Sequence, residues 1–291
     1  MRAAPTVLLR RSPLQPLSRL ANRNHLRVLA YHDINDPLTF EQQLDHLLEH
    51  YTPINLDRVL HGLSGGQLPP RSVLVTFDDG HRSWLDQAAP LMQRRGIPGV
   101  VFVVTGVLGS TVPYWWEEMT ALRDAGAAEV VSYMKRIPDA ERLTVLAETR
   151  RLAAELPATN THLTYDDLKL LEAAGLEVGN HTVTHPLLDQ CEPTKIAQEI
   201  GEAKETLEGI VGHPVRSFAY PNGNDCAEAR RTVAAVGHVV AFLFDHASQP
   251  WPPSDALSMS RIRVNAHDPV DTFAIRISGL HPAVHRLRRR P

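Results

Sequence analysis

Seven short apolar runs, rich in β-branched residues and separated by amphipathic stretches, constrain this chain more than any other feature. They fall at residues 27–31, 72–77, 99–104, 176–178, 215–219, 238–244 and 259–264. Strand followed by helix, repeated, is the pattern of parallel strands, because each crossover must return the chain to the same end of the sheet. Seven such units are too many for a small sandwich and suit a closed or nearly closed ring. The predicted fold class is therefore α/β, a distorted (β/α) barrel of about seven strands. Residues 115–156 read as helical and charged without a clear strand, so they are expected to form a helical insertion in a single domain.

The connecting stretches carry the helical period. Thr39 with Gln42 resembles a capping box, and Phe40, Leu44, Leu47 and Leu48 share one face of the helix that would follow. A further unit is expected over residues 53–63. Trp84, Ala88, Leu91 and Met92 share a side in the next helical stretch. Thr164 with Asp167 opens a helix carrying Leu168, Leu171 and Ala174, stopped at Gly175. Ile196, Ile200, Ala203, Leu207 and Ile210 mark another.

Composition then narrows the chemistry. A chain of 291 residues that is 43% hydrophobic has enough apolar surface for a sizeable core, which excludes disorder over its whole length. Cys191 and Cys226 are its only cysteines, too few for a disulfide framework or a cysteine zinc cluster, so any metal site must use His and carboxylate. The net charge of −3 gives no bulk signal for nucleic acid. No apolar run approaches the ~18 residues that span a bilayer. Residues 1–26 are read as a flexible basic arm, since Met1 to Arg27 holds six arginines and no acid. The apolar run at 7–9 is too short for a signal-peptide core, which leaves cytoplasmic placement or non-classical export. The barrel is expected over 27–280, and 281–291 form a basic tail with Arg286, Arg288, Arg289 and Arg290. Both ends offer at most weak contact with an anionic lipid or polymer, solvated tails being the plainer reading.

Two strand ends carry the reactive side chains. Thr76-Phe77-Asp78-Asp79-Gly80 places adjacent carboxylates at the C-terminal edge of the sheet, where barrel enzymes keep their chemistry, although Asp-Asp-Gly is also an ordinary turn. Gly179-Asn180-His181-Thr182-Val183-Thr184-His185-Pro186 follows another short strand. Its imidazoles, four residues apart, converge if the segment makes one helical turn, which gives half of a metal site. No Glu follows the first His as it does in zinc proteases, so a general base must come from elsewhere, and the Asp78/Asp79 pair can supply it. A lone His-x-x-x-His is usually incidental, but two such motifs on strand ends of one barrel rarely both are.

In this order and setting the motifs resemble those of the polysaccharide deacetylases of carbohydrate esterase family 4, over roughly residues 27–280. Arg216-Ser217-Phe218-Ala219-Tyr220-Pro221-Asn222-Gly223 looks like the family's third motif. The resemblance implies hydrolysis of N-acetyl groups on an amino-sugar polysaccharide or glycoconjugate, with release of acetate. It implies Asp79, His181 and His185 as ligands of one divalent metal ion, expected to be zinc, and Asp78 as a general base held off the metal. Two imidazoles and one carboxylate leave positions open for water and a substrate carbonyl, which agrees with that division. The backbone N–H of Asn222, just after the motif's Pro, would help to hold the oxyanion. For the proton that the leaving amine needs, most of the family uses a C-terminal His. Neither Asn265-Ala266-His267-Asp268 nor Leu280-His281-Pro282 matches well. Tyr31-His32-Asp33-Ile34, at the end of the first strand, resembles the branch that deacetylates poly-N-acetylglucosamine, where motif order is permuted, so His32 is assigned as the acid.

Two positions depart from the family pattern. The Arg two residues before the third motif's Pro, which partners the base, is Ala219 here, and the Tyr after the Pro is Asn222. Arg261 or Arg216 can stand in for the missing Arg, and spacing does not decide between them. Trp115 and Trp116 either stack on a sugar ring or seal the insertion to the barrel. Asp245 and His246 follow a strand to the same rim, and Cys191 reads as a small buried hydrophobe. The expected partner is an N-acetylated carbohydrate. The alternatives are a deacylase of a small N-acylated molecule and an inactive carbohydrate-binding barrel; intact Asp78, Asp79, His181 and His185 speak against the latter.

Overall fold

Every one of the seven expected runs contributes to the sheet in the computed structural model, which describes residues 14–122, 126–153 and 155–279. The strands are β1 (His25–Tyr31), β3 (Ser72–Asp79), β4 (Gly99–Val103), β5 (Leu176–Asn180), β6 (Ser217–Ala219), β7 (Val240–Phe242) and β9 (Ile262–Arg263). Two short additions, β2 (Thr52–Pro53) and β8 (Gln249–Pro250), pair with the starts of β3 and β1. The order is β7-β6-β5-β4-β3-β1, all parallel, with β9 parallel on the other side of β1. Just before β9, Met259 exchanges backbone hydrogen bonds with Ala241 and Leu243, so this segment reaches back to β7 and completes the distorted barrel.

Strand alternation separates two apolar layers. Leu26, Val28, Leu74, Val100, Phe102, Val240 and Phe242 face the barrel interior and meet Leu56 and Val59 of the helix Leu56–Leu63. Leu29, Tyr31, Val73, Val75, Phe77, Val101 and Val103 face outward onto Phe40, Leu44, Trp84, Leu168 and Leu207 of the surrounding helices. Gly179 has to be glycine on the inner layer: a Cβ there would lie 2.6 Å from the Phe102 ring. Near 25 cal/mol per Å² of apolar surface, these layers are the main stabilising contribution.

Helix starts corrected one expectation and kept another. The helix Pro37–His50 is capped by Asp36, whose side chain accepts from the Thr39 N–H, so it begins before the expected Thr39 cap, with Pro37 preset for the first turn. Its buried stripe keeps Phe40, Leu44 and Leu47 but replaces Leu48, 46% exposed, with Gln43 and His46. Gln43 tolerates burial because it accepts from the Tyr31 hydroxyl (2.7 Å) and donates to the Asp268 carbonyl (2.7 Å). Thr164 and Asp167 form the expected capping box of Tyr165–Ala173.

The basic arm needs correction where it is described. Leu14–Ala21 is a helix whose Gln15 is buried, and the Ser18 hydroxyl donates to the Ser278 carbonyl (2.8 Å), fastening the helix to the last turn of the barrel. Composition identified the charge and overlooked the docking face. Residues 1–13 and the tail 281–291, including His281, lie outside the described residues. The insertion consists of helices Trp115–Ala121, Ala127–Met134 and Asp139–Leu152. Trp115, Met119, Met134 and Leu146 give it a small core of its own, shared with Leu187. No helix among the described residues is long and apolar enough to cross a membrane.

Candidate active site

Asp78 and Asp79 leave the end of β3 in opposite senses. Asp78 keeps the strand alternation, shares the inner face with Thr76 and is 4% exposed. Asp79 has φ 93° and Gly80 φ 129°, so the chain turns at once and Asp79 leaves the alternation. Asp79 Oδ1 lies 3.5 Å from His181 Nε2 and 3.5 Å from His185 Nε2. The three ligand atoms all fall within 4.8 Å of one another.

The imidazoles converge through a loop, which corrects the expected helical turn. Thr182 and His185 adopt φ of 71° and 53°, a strained backbone for non-glycine residues that the surroundings must enforce. Buried Glu199 does much of this, accepting from the Val183 and Thr184 N–H groups (2.8 Å each) and from the Thr184 hydroxyl (2.6 Å). The Thr182 hydroxyl accepts from the His185 N–H (3.0 Å), and the turn after β4 donates from Thr105 and Gly106 to the Thr182 and Val183 carbonyls. A Cβ on Gly106 would meet the Val183 carbonyl oxygen at 2.6 Å, so the approach needs glycine. Sequence reading took Ile196 and Ile200 as core and overlooked Glu199 between them; a Glu bordering an apolar stripe was the available signal.

The donor set fits a divalent metal ion. His181 Nδ1 is 2.7 Å from the Ala219 carbonyl, a bond that fixes the proton on Nδ1 and leaves Nε2 free as a ligand. Asp79 Oδ1 is buried with no hydrogen-bond partner, an arrangement that is costly unless a cation occupies the gap. Burial and the neighbouring His181 push the His185 pKa down to about 3, so the ring is neutral at physiological pH. Burial opposes ionisation of Asp79, but the neighbouring His181, with the His32 and His185 charges, outweighs it and holds its pKa far below the usual value.

Arg261 settles which arginine serves Asp78. Its Nη1 and Nη2 donate to the two carboxylate oxygens at 2.6 and 2.7 Å, and it is fully buried. Its Nε donates to the Leu243 carbonyl (2.7 Å). Asp245 accepts from the Arg261 N–H (3.1 Å) and the Ser260 hydroxyl (2.7 Å), so it anchors this segment instead of lining the rim. Arg216 is elsewhere, paired with Glu177 and Asp57. Burial tends to raise the Asp78 pKa; the Arg261 and His181 charges together with the Arg261 bonds lower it overall.

The remaining expected residues separate cleanly. His32 is half-buried, its ring 5.5 Å from that of Phe244, and its charge acts on both Asp78 and Asp79. His267 acts instead on Asp36 at the start of a surface helix. Asn222 has φ 58° in the turn after β6, with its side chain accepting from Lys135 Nζ (3.1 Å). Trp115 is buried in the insertion, whereas Trp116 stacks on Tyr114 and sits edge-on to His185, 4.6 Å between centroids in each case. The Tyr114 hydroxyl is buried without a hydrogen-bond partner. Burial pushes the half-buried Cys191 thiol up to about 12, which fits a quiet apolar role.

A parallel barrel whose strand ends bring Asp79, His181 and His185 together beside an arginine-paired carboxylate has the layout of a hydrolase. The chain belongs to the polysaccharide deacetylase family, whose profile matches residues 65–241, more than half its length. That span contains Asp78, Asp79, His181, His185 and Asn222; His32 and Arg261 fall outside it. Among solved structures the chain is similar to the Streptococcus pyogenes deacetylase PplD in complex with acetate, with 20% identity, 87% of this chain and 98% of that one covered, and a TM-score of 0.64. It is similar to IcaB from Ammonifex degensii, with 22% identity, coverage of 88% and 97%, and a TM-score of 0.63. A de-N-acetylase from Aggregatibacter actinomycetemcomitans matches at 14% identity, with coverage of 87% and 99% and a TM-score of 0.63. No curated protein sequence matches the chain significantly.

Proposed function

We propose that this protein hydrolyses N-acetyl groups on an amino-sugar polysaccharide or glycoconjugate with the help of one divalent metal ion, releasing acetate and a free amine. The observation that carries this reading is the convergence of the Asp79, His181 and His185 ligand atoms within 4.8 Å, next to an Asp78 held apart by Arg261. A divalent ion held by those three side chains, zinc in our reading, would acidify water and polarise the amide carbonyl.

Asp78 acts as the general base. Its lowered pKa keeps it ionised at neutral pH, and its two bonds to Arg261 fix its orientation. Attack of water on the acetamide carbon passes its proton to Asp78 and gives a tetrahedral oxyanion, to which the Asn222 backbone N–H is assigned as donor. His32 gives a proton to the amine as the carbon–nitrogen bond breaks. Its position on Phe244, coupled to both carboxylates, supports that role over His267.

The test is acetate release from N-acetylglucosamine oligomers of several lengths, using chelator-stripped and zinc-reloaded protein. Release that depends on metal and rises with oligomer length is the expected result. No release at any length, with metal bound stoichiometrically, would overturn the reading.

A further inference from the structure

On one side of the catalytic centre two cations stand without an acid. Lys135 follows the insertion helix Ala127–Met134, and its Nζ reaches across to Asn222 Oδ1 at 3.1 Å. Arg263, on β9, holds its guanidinium 5.8 Å from the centre of the Phe244 ring. Phe244 joins the two: Gly223, next to Asn222, lies so close that a Cβ there would be 2.4 Å from Phe244 Cβ, and His32 rests on the same ring. Lys135, Asn222, Phe244, Arg263 and His32 thus form one continuous rim. Neither Lys135 nor Arg263 has an ion-pair partner among the described residues, whereas Arg261, which also faces the Phe244 ring, is paired with Asp78. Burial and the Arg263 charge both lower the Lys135 pKa, with Asp79 acting in the opposite direction.

Two like charges at a partly desolvated rim repel each other, and the Asn222 hydrogen bond and the Phe244 ring hold them in place without an ion-pair partner, so an anionic ligand is their natural complement. We propose that Lys135 and Arg263 form an anion-binding subsite, and that the saccharide presented to this centre carries a carboxylate or phosphate group close to the N-acetyl group to be removed. This rests on the deacetylase reading and narrows its substrate class to acidic glycans. The subsite also gives the insertion a task, since it is the insertion that supplies Lys135.

The experiment compares kcat/KM on three sets of N-acetylglucosamine oligomers of equal length: neutral, carboxylate-bearing and phosphate-bearing. Wild-type protein should prefer one anionic set by about tenfold, a preference that shrinks in high salt because the rim is solvent-accessible. Lys135→Gln and Arg263→Gln should each lower the anionic-to-neutral ratio several-fold, and Lys135→Arg should largely restore it. The preferred anionic set identifies the group recognised. A wild-type ratio near one, or a ratio that neither glutamine variant lowers, overturns the subsite. If no oligomer is hydrolysed, the deacetylase reading fails separately, and equilibrium binding of the same oligomers decides the subsite. Tighter binding of an anionic set, lost in both glutamine variants, sustains it, and equal binding of all sets refutes it.

Discussion

Asp78 and Asp79 are chain neighbours with different partners because one keeps the strand's alternation and the other, at φ 93°, abandons it. Arg261 holds Asp78 apart from Asp79, and removing it should have two separable consequences. Arg261→Met leaves a buried carboxylate without its counter-charge, a change that costs about 3–5 kcal/mol. It also raises the Asp78 pKa, so the proposed base is protonated at higher pH and the acid limb of the kcat/KM profile is expected to move upward. Arg261→Lys, which keeps the charge and loses the paired geometry, should move the limb in the same direction by less. Denaturant unfolding and the pH–rate profile check the two effects, and an unmoved limb in the methionine variant would separate Arg261 from the chemistry. Of the candidate site, Asp78, Asp79, His181 and His185 were legible because each motif carries its reactive side chains within a few residues at a strand end. Arg261 was not decidable, since it meets Asp78 across 183 positions and only ring closure brings the two together. Lys135 and Tyr114 escaped notice for a related reason: nothing in the insertion's sequence states where it docks.

Elements explain why reading by period succeeded for strands and was weaker for helix starts and loops. A buried parallel strand is a short apolar run whatever its neighbours, so the seven runs could be found one by one. The Thr182–His185 loop depends on Glu199, Thr105 and Gly106, which come from two other elements, and no local pattern records such contacts. The insertion likewise relies on pairs made between its helices. Glu118, buried, takes two hydrogen bonds of 2.6 Å from Arg150, joining Trp115–Ala121 to Asp139–Leu152. Arg150 is 40% exposed, so solvent screens part of this pair. Glu118→Gln should therefore weaken the insertion by about 1–2 kcal/mol, less than a fully buried pair would lose. Amide hydrogen exchange is the direct measurement: protection should drop across 115–152 and hold in β3, β4 and β5. Equal loss in the strands would mean that the insertion and barrel unfold as one unit.

At the scale of the whole molecule, part of the pH dependence of stability comes from a buried histidine that is not among the candidate metal ligands. His238 is 3% exposed, and its Nε2 lies 3.1 Å from the Asn180 side-chain amide, which also donates to the Ile200 carbonyl (2.9 Å). The ring therefore ties the end of β5 and the helix Pro193–Val211 to the segment entering β7. Burial, reinforced by the Lys204 charge, pushes its pKa down to about 3. In the unfolded chain the same group titrates near 6.5. Between these values the unfolded state binds the proton and the folded state does not, so the contribution is intact above about pH 6.5 and declines as pH falls toward 3. At about 1.4 kcal/mol per unit, lowering the pH from 7.5 to 5 should remove roughly 2 kcal/mol through this residue. His238→Gln keeps an acceptor for the Asn180 amide and cannot titrate. Urea unfolding of chelator-treated protein at pH 7.5 and pH 5 should show the variant losing about 2 kcal/mol less than wild type over that interval. Parallel losses in the two proteins would mean that His238 accepts its proton without opening the fold, and the acid sensitivity of this window would then have to arise at another buried histidine, His185 foremost.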